Sequence, residues 1–298
     1  MSGTFFFKKV AIIGVGLIGG SLAIVLRNKA LAGSFVGIGR GKANLEAALR
    51  LGIIDSFTTD IEEGVRDADL VIVATPVKKI SETIRKAAPA LKKGCIVTDV
   101  GSVKKAVIDE VEPMMPEGVH FVAGHPIAGT EHSGAEAAFA ELFIDRKCII
   151  TPTDRTDRAA LEAVRRIWAA AGSDVAVMDA VVHDRILAAV SHLPHIIAYS
   201  LVNTVADIED SGIDALGFSA GGFKDFTRIA SSSPEMWADI CAMNKASLIE
   251  MIEAFQARLE RLKRLVASGD YEAIRGDFER AKSVRDSLLK TEKSQRQG

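Results

Sequence analysis

The sequence predicts an α/β chain in two parts: a doubly wound parallel sheet over residues 1–179, followed by an all-helical part over residues 180–298. Three observations predict it. From Val10 to about Asp179, short β-rich apolar runs alternate with amphipathic helical stretches, the pattern of strand–helix–strand units. After Asp179 no further β-rich run appears, and helical periodicity continues almost unbroken from Ala180 to Lys290. At 298 residues and 48% hydrophobic, the chain can bury a sizeable core and divides naturally into two domains.

The strand candidates, in order, are Lys9–Ile13, Ser34–Ile38, Leu70–Ala74, Cys95–Asp99, His120–Ala123, Lys147–Thr151 and Asp174–Val177, each read as buried on both faces. A first helix is expected from Leu22 to Lys29. In the second part, Ala180 to about Asp207 reads as one long helix kinked by Pro194, which cannot donate to the helical ladder. Ser211 to Ser233, richer in Gly and Ser, reads as shorter helices and turns, and Pro234 opens another long helix. Long apolar helices of this kind pack in bundles or dimers, so the chain is expected to partner itself as a homodimer.

The formal net charge of −2 argues against nucleic acid or an anionic membrane as partner, since both need a concentrated basic face. Cys95, Cys148 and Cys241 are widely separated, forming neither a zinc pattern nor a disulfide framework. Three lone thiols suit a reducing cytoplasm. The segment Met1 to Val10 runs from Phe5-Phe6-Phe7 straight into Lys8-Lys9, unlike a signal peptide, and no run of about 18 apolar residues is read as a membrane span. These features together imply a cytoplasmic protein with small-molecule partners and no metal.

Val10-Ala-Ile-Ile-Gly14-Val-Gly16-Leu17-Ile18-Gly19-Gly-Ser21 places G-x-G-x-x-G between a strand pattern and a helix pattern. This is the Rossmann fingerprint: Gly14 for the tight turn, Gly16 for close approach of backbone to a pyrophosphate, Gly19 for helix–strand packing. The helix N-terminus then meets the anion. NAD-binding chains place Asp or Glu at the end of the second strand to hold the ribose 2′-OH, but here that strand ends Gly37-Ile38-Gly39-Arg40-Gly41-Lys42. Arg40, helped by Lys42, suits a 2′-phosphate. NADP is therefore expected over NAD.

Among six histidines, His125 stands out: Gly124-His125-Pro-Ile-Ala-Gly-Thr130-Glu131 comes after a strand and reads as a loop at the carboxyl edge of the sheet, where ligands bind. A histidine there can accept the proton of an alcohol being oxidised. Ser102, in Asp99-Val-Gly101-Ser102-Val-Lys104, reaches the same edge and can orient His125 or the nicotinamide. Ser191-His192-Leu-Pro-His195 puts two histidines at i and i+3, without deciding which faces a ligand. His120 and His132 read as ordinary histidines. So does His183, which lies nine residues before His192 and thus on the opposite face of a regular helix. Arg228, after a flexible Gly pair, suits either a carboxylate clamp or an ion pair with Asp225.

Over nearly its whole length the chain resembles the prephenate and arogenate dehydrogenases of tyrosine biosynthesis. The resemblance rests on GVGLIGGS at Gly14, ATPV at Ala74, DVGSVK at Asp99, GHPIAGTEHSG at Gly124, SHLPH at Ser191 and GGFKDFTRIA at Gly221, in order. It implies oxidative decarboxylation of prephenate, arogenate or both, with His125 as acceptor for the ring hydroxyl and Ser102 beside it. It implies a substrate pocket lined by Thr130, Glu131, His192, His195, Arg228 and Trp237, favouring His195 over His192. It implies a dinucleotide held by Gly14, Gly16, Leu17, Ile18, Gly19, Gly39, Arg40, Lys42, Ala74, Thr75, Pro76, Val77 and Ser102. Competing readings are a β-hydroxyacid dehydrogenase or pyrroline-carboxylate reductase of similar architecture, or a dinucleotide-sensing module, which would have no use for His125, Ser102 and Arg228 together.

Overall fold

The computed structural model describes residues 6–130 and 132–295, with the side chains of all of these except 209, 210 and 290–295. The chain forms two compact units, Met1–Leu248 and Ile249–Gly298.

Six parallel strands make the first sheet: β1 (Phe7–Ile13), β2 (Ala32–Ile38), β3 (Ser56–Thr58), β4 (Leu70–Val73), β5 (Ile96–Asp99) and β6 (His120–Val122). Their order, β3-β2-β1-β4-β5-β6, changes direction at β1, and a doubly wound sheet opens its ligand crevice at such a switch point. Helices α1 (Leu17–Asn28), α2 (Lys42–Arg50), α3 (Ile61–Val65), α4 (Ile80–Ala87) and α5 (Lys105–Val111) come after the first five strands in turn. One apolar cluster joins Val10, Ile12, Leu22, Leu26, Phe35, Leu70 and Ile72; a second, joining Ala11, Ile13, Val71, Val73, Ile80, Ile84 and Val107, lies on the alternate strand residues. That alternation is the period-2 signature of a sheet covered on both faces.

The sheet is not continuous to Asp179, as periodicity suggests. The chain leaves β6 at Ala123 and forms a second, three-stranded sheet from β7 (Gly124–Pro126), β8 (Lys147–Ile150) and β9 (Asp174–Val177), with α6 (Arg158–Ala170) between the last two. There β7 runs antiparallel to β8, with His125 opposite Ile149, and β9 is only partly covered. Two three-residue strands escape the sequence reading: β3 carries Ser and Thr, and β7 contains Gly and Pro, which are depleted in strands.

The rest is helical: α7 (Ala180–Leu187), a π turn (Ala188–His192), α8 (Leu193–Asp210), α9 (Gly221–Thr227), α10 (Pro234–Met243), α11 (Lys245–Ser268) and α12 (Tyr271–Gln295). The π turn explains the effect of Pro194, whose ring would clash with the carbonyl four residues back, at Val190; the wider turn lies over that position. Pro234 does open a helix, with Ser233 capping it by accepting from Met236 N. That helix stops at Asn244 instead of running on. The run Ala180–Ile208 is long and apolar enough to cross a membrane by length and composition, with mean hydropathy 1.4. Yet its buried positions carry His183, Asp184 and His192, while Val181, Val182, Ile186 and Val190 are exposed.

Candidate active site

The glycine turn does what its spacing requires. Gly14 has φ +95°, and a Cβ there would collide with the Ala74 carbonyl of the neighbouring strand end. A Cβ on Gly19 would overlap Gly14 O and press on Ile12 and Ala74 at 3.0 Å. A Cβ on Gly16 would meet nothing within 4 Å, so this backbone faces open space. Gly16 caps α1 without a side-chain hydrogen bond, and no acidic residue occupies the first turn. Uncapped N–H groups facing open space at a helix N-terminus fit a dinucleotide pyrophosphate.

Two adjoining clefts of about 660 and 690 Å³ share Gly14, Gly39, Arg40, Ala74 and Pro76. Thr75 lines the first and Gly16 the second. Arg40 is exposed, and among the described residues it makes no ion pair. Lys42 opens α2 outside the cleft lining, and the side chains of Leu17 and Val77 are buried in the core, so only their backbone is available to a ligand. Ile18 is half-buried at the start of α1. Although no carboxylate ends β2, Asp60, Glu62 and Glu82 line the first cleft from elsewhere, together with Lys79 and Lys86. Lys86 and Lys79 bond Glu82 and pull its carboxyl down to about 2. This meeting of distant residues carried no local sequence signal.

His125 sits on β7, not on a loop, and is 8% exposed. Its Nδ1 lies 2.8 Å from His183 Nε2, and His183 Nδ1 lies 2.7 Å from Asp184 Oδ1. The Asp184 carboxylate also accepts from Lys104 N at 2.8 Å and Lys105 N at 3.0 Å. The Lys104 ammonium, fully buried, donates to Asp99 and, at 2.6 Å, to Gly124 O beside His125. Asp99 in turn accepts from Gly101 N at 2.8 Å and Gly124 N at 3.3 Å. Burial holds the His125 ring well below the ordinary histidine value of 6.5, with His183, Lys104 and His192 adding to it. His125 is thus a neutral base in a dry, positively biased setting.

Spacing along a regular helix puts His183 on the face away from His192, yet both belong to this cluster. A π turn adds about one residue to a turn, rotating the downstream residues by roughly 100° and cutting the half-turn offset of a regular helix to roughly 80°. His192 is 1% exposed; Asn244 Nδ2 reaches its Nδ1 at 3.1 Å and donates to Asp184 O at 2.8 Å. Burial pushes His192 down to about 4. Its Nε2 and the Nε1 of Trp237 are buried without a hydrogen-bond partner among the described residues. His195 stacks on Trp237, with ring centroids 3.7 Å apart, and its Nδ1 meets Ser191 O at 2.8 Å. Burial lowers the His195 value, the bond to Ser191 opposes this, and the positive Arg228 nearby adds to the lowering. Arg228 is exposed and, among the described residues, forms no ion pair with Asp225 or any other carboxylate, which favours the clamp over the structural pair.

Ser102, half-buried on the β5–α5 loop, makes no side-chain hydrogen bond among the described residues; His183 occupies the orienting position expected of it. Thr130 is exposed and accepts from His132 N at 3.2 Å. Glu131 lies outside the described residues. His183, Asp184, Lys104, Asp99 and Asn244 are the members that sequence reasoning missed.

Residues 22–177 match the prephenate dehydrogenase nucleotide-binding domain, and residues 179–280 match the prephenate dehydrogenase dimerization domain. The chain belongs to the prephenate dehydrogenase family. It is 38% identical to the cyclohexadienyl dehydrogenase of Zymomonas mobilis over 95% of this chain and 96% of that protein. It is 35% identical to the prephenate dehydrogenase of Bacillus subtilis over 94% of this chain and 76% of that one. Among solved structures, prephenate dehydrogenase from Aquifex aeolicus, in complex with hydroxyphenyl propionate and NAD+, superposes with a TM-score of 0.89 at 38% identity, covering 94% and 98% of the two chains. Synechocystis arogenate dehydrogenase superposes at 0.81 and 27% identity, covering 94% and 100%.

Proposed function

We propose that the chain oxidises and decarboxylates prephenate, arogenate or both in tyrosine biosynthesis, with His125 as the proton acceptor. The enzyme class follows from family membership. The observation that carries the residue assignment is the buried, neutral His125, bonded through Nδ1 and leaving Nε2 for substrate.

When bound, a nicotinamide dinucleotide supplies the hydride acceptor; the Gly14–Gly19 turn, Gly39, Arg40 and Ala74–Pro76 are the residues to hold it. His125 Nε2 takes the ring hydroxyl proton as the C4–O bond becomes a carbonyl. Arg228 grips a substrate carboxylate, and the Trp237–His195 stack with the free donors of His192 and Trp237 line the pocket, with Thr130 and Ser102 at its rim. The ring carboxylate then leaves as carbon dioxide, its bonding pair restoring aromaticity. Unpaired Arg40 supports NADP over NAD, and Asp60 across the same cleft is the feature suited to an unphosphorylated ribose. The exposed apolar residues of α7 and the π turn support a homodimer through the dimerization-domain match, and the three unpaired cysteines support a cytoplasmic setting.

His125→Asn is expected to lower kcat by about 10²-fold or more with little change in KM; near-normal turnover would remove His125 from the chemistry. Rates with both substrates and both dinucleotides, in the wild type and Arg40→Asp, settle the rest. Loss of an NADP advantage in Arg40→Asp supports the 2′-phosphate contact, and unchanged selectivity refutes it.

A further inference from the structure

We propose that Asp184 and His183 are positioning residues that lock the His125 imidazole in the tautomer with hydrogen on Nδ1, leaving Nε2 bare toward the substrate. The proposal rests on His125 being the proton acceptor. It is carried by the direction of each hydrogen bond in one buried chain.

Two backbone N–H groups, of Lys104 and Lys105, point at the two oxygens of Asp184. A backbone N–H only donates, so both oxygens accept. The third contact, 2.7 Å from Oδ1 to His183 Nδ1, then requires the hydrogen to sit on Nδ1. A neutral imidazole protonated at Nδ1 offers a lone pair at Nε2, and that lone pair lies 2.8 Å from His125 Nδ1. His125 Nδ1 must donate, and His125 Nε2 is the acceptor that removal of a hydroxyl proton needs. Reversing any link would give His125 an Nε2–H, a donor aimed at a donor.

The surroundings hold this polarity. His183 is fully buried and Asp184 is 4% exposed, so water does not compete for either bond. Lys104 ties the two ends together: its N–H donates to Asp184, while its ammonium donates to Gly124 O, next to His125. Asn244 sets the opposite polarity in the neighbouring ring. Its Nδ2 donates to Asp184 O, and the same nitrogen faces His192 Nδ1, which makes Nδ1 an acceptor and places the His192 hydrogen on Nε2. One histidine is thereby an acceptor at Nε2 and the other a donor. The titratable groups of the elements packed around His125 are Asp99 from β5, Lys104 from the loop after it, Cys148 from β8, His183 and Asp184 from α7 and His192 from the π turn, of which His183, Lys104 and His192 act on its ring.

The test uses the full-length protein with nitrogen-labelled histidine. In the wild type, magnetic resonance should show His125 with a protonated Nδ1 and an unprotonated Nε2, and Asp184→Asn, whose amide can donate to His183, should reverse that pattern. In kinetics, Asp184→Asn should lower kcat by about 10²-fold or more, as wrong-tautomer variants of a carboxylate–histidine pair do, with KM and dinucleotide affinity nearly unchanged. His183→Gln, which keeps an acceptor for His125 and leaves the backbone bonds to Asp184 in place, should retain more activity than His183→Ala at equal thermal stability. Normal kcat in both Asp184→Asn and His183→Ala overturns the proposal, and a wild-type His125 protonated at Nε2 overturns it even if Asp184→Asn proves too unstable to purify. If His125→Asn also turns over normally, the assignment of His125 itself has failed; if only that variant is inactive, the positioning role alone has failed.

Discussion

The glycine turn follows β1 of the first sheet, the histidine–carboxylate cluster joins the end of β5 to His125 on β7 of the second, and the two recognise by opposite means. At the turn, side chains are removed: Gly14, Gly16 and Gly19 clear backbone to approach a ligand, and the cleft is open, with Arg40 free in solvent. In the cluster, side chains are packed out of reach of solvent, and the carboxylates, Lys104 and the Nδ1 atoms of the histidines are fixed by one another or by backbone. The first region binds by exposing N–H groups; the second makes a base by denying it solvent. Sequence patterns report the first kind of site far better than the second.

The largest expected effect comes from the closed region. Lys104→Met leaves Asp99 buried with only the Gly101 and Gly124 amides, 2.8 and 3.3 Å away. Losing one partner of a buried pair costs about 3–5 kcal/mol, so denaturant unfolding should show a drop of that order. A drop below about 1 kcal/mol would mean that the cluster is less closed than its burial indicates. Replacing Asp99 and Lys104 together by apolar residues should recover most of the loss.

The open region predicts a contrast between two glycines that share a motif but not a packing environment. Gly14→Ala places a Cβ against Ala74 and strains a φ of +95°, at a cost of about 1–3 kcal/mol in stability. Gly16→Ala meets no protein atom; stability should change by less than about 0.5 kcal/mol, while dinucleotide affinity falls. Calorimetric unfolding and cofactor titration of both variants check this. Equal stability losses would mean that Gly16 is kept for the fold, not for the ligand.

That asymmetry accounts for how much was legible. The glycine turn could be read residue by residue because its constraints are local: a positive φ, a close strand, an open helix end. The strand runs Lys9–Ile13, Ser34–Ile38, Leu70–Ala74 and Cys95–Asp99 announced β1, β2, β4 and β5 because both faces of each are apolar. Lys147–Thr151 and Asp174–Val177 likewise announced β8 and β9, but not that they form a separate sheet, since β7 is three residues of Gly, His and Pro that pair with a strand about 25 positions on. Pro194 announced a break in the helix, but not that a π turn would absorb it and bring His192 round toward the face that carries His183. Asn244 looks like any helical polar residue until its amide is seen between Asp184 and His192. Nothing in spacing joins Lys104 to Asp184, 80 residues apart. Lys104 and Asp99 did stand five residues apart within one recognised motif, and that pairing was the one available clue.

The smallest effect expected is also the one that separates the two regions by pH alone. His125 and His192 are buried neutral: burial first, then the neighbouring His183 and Lys104, hold His125 well below 6.5, and burial pushes His192 down to about 4. The unfolded chain takes up protons on these rings as pH falls through 6.5, while the folded chain does not until lower. Stability from this region is therefore complete above 6.5 and declines as pH drops from 6.5 toward 4. Activity has the same sign, because protonated His125 cannot accept the substrate proton; the acid limb of kcat/KM should lie below 6.5, with catalysis flat through neutrality. The open cleft has no histidine in its lining, so dinucleotide affinity should stay level over that interval. Thermal midpoints, pH–rate profiles and cofactor titrations between pH 4 and 8 distinguish these responses. An acid limb at or above 6.5 would mean that His125 is wetter than its packing shows, and a parallel loss of dinucleotide affinity would mean that the two regions titrate as one.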